Sequence, residues 1–185
     1  MLAFSLTEAF ALVLRPGRVV WWFAMKQDTV VRAAPQGWQG IEPTGYTPEA
    51  PGTGVARHTI VGTRKNDASE PGPKMELRYF EVQPGSASRL EKHDHEHYVV
   101  IRTGKGYAVV GDQAFEVGAD DVVYVAPFEL HQFVNRGGAP FGFYCFVESV
   151  RDIPQVPSDD EVERLLGTAA GAVAKPRAVP PPVKR

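Results

Sequence analysis

The sequence predicts an all-β fold: one small barrel or sandwich of short strands, with an N-terminal extension and a short C-terminal helix. Three observations carry this. Short apolar and β-branched runs follow one another from Val55 to Val147 with no helical period between them. Eighteen Gly and sixteen Pro supply the turns. Within single runs, apolar and polar residues alternate as they do on a strand with one face buried. At 185 residues the length suits one domain with terminal extensions.

In chain order, Leu2 to Leu14 is apolar with Ser5, Thr7 and Glu8 interspersed, and Arg15-Pro16-Gly17-Arg18 separates it from the run Val19 to Met25. Neither run reaches the ~20 apolar residues of a membrane span. The charged start and cleavage site of a secretory signal are also missing. Two readings of residues 1–24 stand: an amphipathic helix that packs on the domain or on a second copy, or an over-extended start with translation beginning at Met25. Gln36 to Gly54, rich in Gly and Pro and anchored by Trp38, Ile41 and Tyr46, reads as an arm over the domain, so that 1–54 is extension and arm.

Residues 55–150 form the expected barrel. Val55 to Gly62 is the first strand and Thr63 to Pro73 a polar loop. In Lys74 to Val82, Met75, Leu77 and Tyr79 alternate with Glu76, Arg78 and Phe80. Pro84-Gly85 turns the chain into Ser88 to His93, and Tyr98 to Arg102 ends at Thr103-Gly104-Lys105-Gly106. Tyr107 to Val110 and Ala114 to Val117 form a hairpin about Gly111-Asp112, a pair suited to positive backbone dihedrals. Val122 to Val125, Glu129 to Val134 and Phe141 to Val147 complete a set in which inward positions line a cavity. Residues 151–167 carry a helix, because Ser158-Asp159-Asp160-Glu161 is a capping box with acids at the positive helix end and Gly167 is its stop. Thr168 to Arg185, Ala- and Pro-rich, with basic residues and no acid, reads as a disordered tail.

Chemistry concentrates in Glu91-Lys-His93-Asp-His95-Glu-His97, which holds three of the five histidines. Alternate residues of an extended chain share a face, so Glu91, His93, His95 and His97 can look the same way. His131, in a later strand, supplies a further imidazole. Glu91, His93, His97 and His131 make a mixed nitrogen and oxygen donor set for a divalent transition metal, with iron first and manganese, nickel, copper or zinc also fitting. Four protein ligands leave room for substrate on an ion that tolerates six. If the strand runs straight, His95 joins the ligand face; if the chain turns after His93, it stands at the barrel mouth as a proton-transfer group.

These residues resemble the cupin superfamily, small jelly-roll barrels with two motifs. Gly85, five residues, Glu91, one residue, His93, three residues, His97, six residues and Gly104 reproduce the first spacing. Glu91 stands where the family has its first His, and His97 where it has Glu. The second motif is looser: Gly118, Asp121 and Pro127 precede it, and His131 with Asn135 fits its end. The resemblance, from Val55 to Val147, implies a single cupin barrel but not one reaction, since the family includes dioxygenases, decarboxylases, isomerases, cyclases, lyases and sugar-binding proteins.

Other candidates are softer. Arg78, Arg89 and Arg102 lie on strands, where an inward guanidinium could grip a carboxylate or enolate, although such arginines more often face solvent. Arg89 is the strongest of them, because it shares parity with Glu91 and His93. Phe133 shares parity with His131 and is expected to wall the pocket, whereas Tyr124, Phe141 and Phe143 read as core. Cys145 reads as an inert buried thiol, and His58 as structural or exposed.

The function expected is a metal-dependent enzyme acting on a small organic molecule, first a non-haem dioxygenase, then a redox-neutral Lewis-acid enzyme, then a non-catalytic ligand-binding module. A net charge of -2 gives no nucleic-acid footprint. A lone cysteine favours a reducing, cytoplasmic compartment. The apolar extension points to a homodimer.

Overall fold

The computed structural model describes residues 30–35, 37–45, 54–62 and 73–176. Residues 1–24, with both readings of them, lie outside that range, as do Tyr46, most of the 63–73 loop and the tail from 177. The strands are β1 Ala33–Ala34, β2 Gly37–Trp38, β3 Thr44–Gly45, β4 Val55–Val61, β5 Met75–Val82, β6 His97–Thr103, β7 Lys105–Val110, β8 Gln113–Gly118, β9 Val122–Val125, β10 His131–Val134 and β11 Phe141–Glu148. Among the described residues one α-helix, α1, spans Asp159–Leu166.

Two antiparallel sheets make the barrel, one in the order β3-β4-β5-β11-β6-β9 and one in the order β10-β7-β8. Their edges are not closed into a continuous ring. Between them lies an aromatic core in which Phe80 stacks on Phe143 at 5.4 Å and Phe133 meets Phe143 at 4.4 Å, backed by Val82, Val99, Ile101, Val117 and Phe141. Gly85 and Gly104, the glycines that bound the first motif, have φ of +76° and +72°, a region side chains rarely adopt. At Gly104 a Cβ would also run into the carbonyl oxygen of Pro140.

Ser88 to His93 is not the continuous strand the sequence predicts. It runs beside β10 through isolated bridges, Ala87 to Val134 and Glu91 to His131. The Ser88 hydroxyl takes the Phe133 amide hydrogen, where a regular ladder would use a backbone carbonyl. On its other side Lys92 exchanges backbone hydrogen bonds with Gln155.

The outer face of the small sheet is covered from the C-terminus. Leu165, Ala170 and Val173 pack on Leu90, Val109 and Val134. The capping box forms as expected, with Ser158 and Glu161 bonding reciprocally. Part of the expected disordered tail is instead packed here, up to residue 176. The fully buried Gln132 explains it, because its amide bonds Ser88 O and Lys175 O and accepts from the Lys175 backbone. The arm places Trp38 over the opposite outer face, against His58 and Tyr79 at 5.5 and 5.2 Å, which makes His58 a structural residue. No helix among the described residues is long and apolar enough to cross a membrane.

Candidate metal centre

Three backbone segments bring the donors together. Glu91 and His93 come from the bridged stretch beside β10, His97 opens β6 opposite Val125, and His131 opens β10 beside Glu91. The chain bends at Asp94 and His95, so His95 leaves the strand line, yet it is 1% exposed and its Nε2 lies 3.2 Å from Asp152 Oδ1. Asp152, in the turn after β11, was not legible as a donor in the sequence. The donor atoms of Glu91, His93 and His131 all lie within 4.8 Å of one another, as do those of His93, His95, His97 and Asp152. His93 belongs to both groups. Ring centroids of His97 stand 4.6 Å from His93 and 4.7 Å from His131, so the two groups are halves of one cluster.

The residues fit a metal on their own chemistry. Nε2 of His97 and both ring nitrogens of His93 are buried without a hydrogen-bond partner. Asp152 Oδ1 lies 3.4 Å from His93 Nδ1, but not in hydrogen-bonding geometry. Buried polar atoms left this way cost stability unless something fills the site. The opposite ring nitrogens are already held: His131 Nδ1 lies 3.0 Å from the Glu129 carbonyl oxygen, and His97 Nδ1 3.3 Å from Cys145 Sγ. Such second contacts orient an imidazole and leave its other nitrogen for an ion. Glu91, His93, His97 and His131, the ligands expected from the sequence, are thus brought together in one cluster that could hold an ion, with Asp152 and His95 beside them.

Charge is arranged to match. Burial and the neighbouring imidazoles push His97 down to about 2, and burial lowers His131, so both are neutral donors at physiological pH. His95 goes the other way: burial opposes its protonation, but its bonds to Asp152 and to the Glu96 carbonyl raise it. Asp152 is buried too, yet the His95 bond and the charge of Arg78 hold its carboxyl below the usual range. Burial pushes the Cys145 thiol up to about 12, consistent with an inert thiol.

Behind Asp152 stands a charge chain that corrects the expectation of Arg78 as an outward residue. Arg78 is 5% exposed. It donates through Nε and a terminal nitrogen to Glu76 Oε2 at 2.8 and 2.5 Å and pairs with Asp152 through its other terminal nitrogen. Arg102, by contrast, lies on the exterior, bonded to Tyr144 and over the Trp38 ring. Arg89 is partly buried two residues before Glu91. Phe133 is buried in the aromatic core two residues after His131. Phe141 and Phe143 are core, but Tyr124 is 54% exposed, because β9 is an edge strand and its even positions face out.

These shifts give a pH expectation for metal-free protein. The unfolded state takes protons on His97 and His131 near pH 6.5, while the folded state keeps them neutral. Stability is therefore full above that pH and falls below it, by about 1.4 kcal/mol per pH unit per histidine, with the raised His95 offsetting part of this. Urea unfolding of chelator-treated protein at pH 7.5 and 5.5 checks it; an equal or higher midpoint at pH 5.5 contradicts it.

Comparisons with known proteins agree with this fold. Residues 78–147 match the family profile described as a cupin domain. A 1-methylthio-D-xylulose 5-phosphate methylsulfurylase from Rhodospirillum rubrum is 37% identical over 137 residues, covering 73% of this chain and 83% of the relative. A crystal structure of a cupin-2 domain from Rhodospirillum rubrum superposes with a TM-score of 0.63 at 34% identity, covering 77% of this chain and 93% of that one. A cupin 2 domain-containing protein from Halorhodospira halophila gives 0.61 at 33% identity, with 80% and 96% covered. With two facing antiparallel sheets, a histidine cluster at the first-motif spacing and relatives matched over most of their length, this chain belongs to the cupin family.

Proposed function

We propose that this protein is a metal-dependent enzyme whose substrate is a small phosphorylated ketose bearing a methylthio group, from which it detaches the sulfur. The observation that carries the metal half is the cluster of buried, partnerless imidazole nitrogens converging with two carboxylates. The substrate half rests on the Rhodospirillum rubrum relative, whose name states its action on 1-methylthio-D-xylulose 5-phosphate. Glu91, His93, His97 and His131 would hold the ion, and a divalent metal in such a site supplies Lewis acidity toward a carbonyl oxygen.

In a ketose with sulfur on the carbon next to the carbonyl, attack of a thiolate on that sulfur breaks the C–S bond. A mixed methyl disulfide forms, and the bond's electron pair passes into an enolate, which takes a proton at carbon. The thiol is an external co-reactant. Cys145 does not supply it, being buried with its thiol pushed up to about 12. His95, held by Asp152 and the Glu96 carbonyl, would hold or pass the proton. The dioxygenase expected from the sequence would use the same donor set, and it defines the outcome that overturns this reading.

The test is turnover of a methylthio ketose phosphate with a small thiol, under anaerobic conditions and in air. The expected result is mixed disulfide and deoxy-ketose phosphate formed equally in both. Product formation that requires dioxygen and consumes it stoichiometrically assigns an oxygenase, and binding without turnover assigns a binding module.

A further inference from the structure

We infer that Arg57 and Thr59 form an anion subsite inside the barrel that receives the substrate's phosphate; the inference rests on the reading that the substrate is a phosphorylated ketose. Neither residue stands out in sequence, where β4 reads as an ordinary first strand. Their parity settles the face. Val55, Arg57 and Thr59 alternate onto one side of β4, Val55 lies in the main core, and their cross-strand partners Val82, Phe80 and Arg78 are all buried. Arg57 and Thr59 therefore start from the inner wall.

Arg57 Nε and Thr59 Oγ1 are buried and have no hydrogen-bond partner among the described residues. The carboxylates on the same wall are engaged elsewhere, since Glu76 and Asp152 are both bound by Arg78. A guanidinium and a hydroxyl two residues apart on one strand face, with Nε and the hydroxyl unpartnered, are what a phosphate oxygen cluster needs: the planar fork of Arg matches phosphate geometry, and a neighbouring hydroxyl adds a donor. Both residues are only partly buried overall.

Position supports one ligand spanning both places. β4, β5, β11 and β6 are consecutive in the large sheet. Across these strands Thr59 is level with Arg78, Cys145 and Val99, and Arg57 with Phe80, Phe143 and Ile101. Thr59 thus stands three inter-strand spacings, about 14 Å along the sheet, from a point two residues along β6 from His97, and Arg57 lies two residues further on. Thr59 lies directly opposite Arg78, which in turn holds Asp152 at the imidazole cluster. A chain molecule with its carbonyl at the cluster and its phosphate at Arg57 would follow this wall.

The experiment uses metal-loaded protein and three probes: inorganic phosphate, xylulose 5-phosphate and unphosphorylated xylulose, titrated by calorimetry. Expected are binding of both phosphates, with xylulose at least tenfold weaker. Arg57→Met should weaken both phosphates at least tenfold, with xylulose affinity and metal content unchanged, and Arg57→Lys should restore part of the loss. Thr59→Val should weaken the phosphates by a smaller factor. Wild-type protein that ignores inorganic phosphate, or an Arg57→Met variant that binds it normally, overturns the subsite. If Arg57→Met fails to fold, Arg57→Lys and Thr59→Val decide it, and unchanged phosphate affinity in both is a refutation. The two proposals separate cleanly. Arg57-dependent phosphate binding without turnover of the methylthio substrate keeps the subsite and removes the function, whereas turnover with wild-type KM in Arg57→Met does the reverse.

Discussion

His93→Ala is expected to reduce the metal content of protein purified without added metal from about one equivalent to below a tenth. It is also expected to lower turnover by at least two orders of magnitude. His93 is the most damaging single change because it belongs to both groups of converging donors. Removing it breaks the Glu91 and His131 group and the His97 and Asp152 group together, whereas any other ligand leaves one group whole. Loss of one imidazole from a four-ligand set costs far more than the 10- to 100-fold typical of an outer-shell partner. Elemental analysis with circular dichroism checks it. A folded His93→Ala protein that retains its metal would show that the cluster is not the metal site.

Arg78→Met is expected to give the largest loss of stability. Arg78 separates Glu76 and Asp152 in a region where all three are nearly inaccessible to water. Taking the cation away leaves two buried carboxylates without their shared partner. Breaking a buried ion pair from one side costs roughly 3–5 kcal/mol. At about 2–4 °C per kcal/mol for a chain of this size, the midpoint should fall by about 6–20 °C. The sign of the pH response identifies the cause. Without Arg78 the buried Asp152 carboxyl takes a proton more readily than in the wild-type fold, so the deficit relative to wild type should narrow as pH falls toward 5. A melting point within 2 °C of wild type would show that the pair carries no net stability.

Much of this architecture is legible in the sequence, because short strands, turn glycines and the capping box are local properties. The hairpin about Gly111 and the helix stopped by Gly167 formed where their residues required. The spacing of Glu91, His93 and His97 is local too, and His131 has few competitors. What the sequence hides is which face of a strand is inside. Met75 is 48% exposed whereas Glu76 and Arg78 are buried, the reverse of a hydrophobicity-based reading of β5. The barrel interior is polar at the end that carries the cluster, and the mutual neutralisation of Glu76, Arg78 and Asp152 is a property of tertiary contact. Asp152 was missed for the same reason: its partners lie on β5 and in the histidine stretch, far away in the chain. The one usable signal was an arginine at an inward position, which requires a carboxylate.

Lys92 sits between two donors, Glu91 and His93, and turns the other way. Its backbone pairs with Gln155 and its ammonium meets Glu161 at 2.5 Å. The bridged stretch that presents Glu91 and His93 is thus splinted from outside by the C-terminal segment, whose own anchorage is Leu165 and the Gln132 clasp. Binding of an ion at this centre and docking of that segment would therefore be thermodynamically reciprocal: whatever loosens α1 would weaken the affinity for an ion, and an ion at the centre would stabilise a helix that touches no donor.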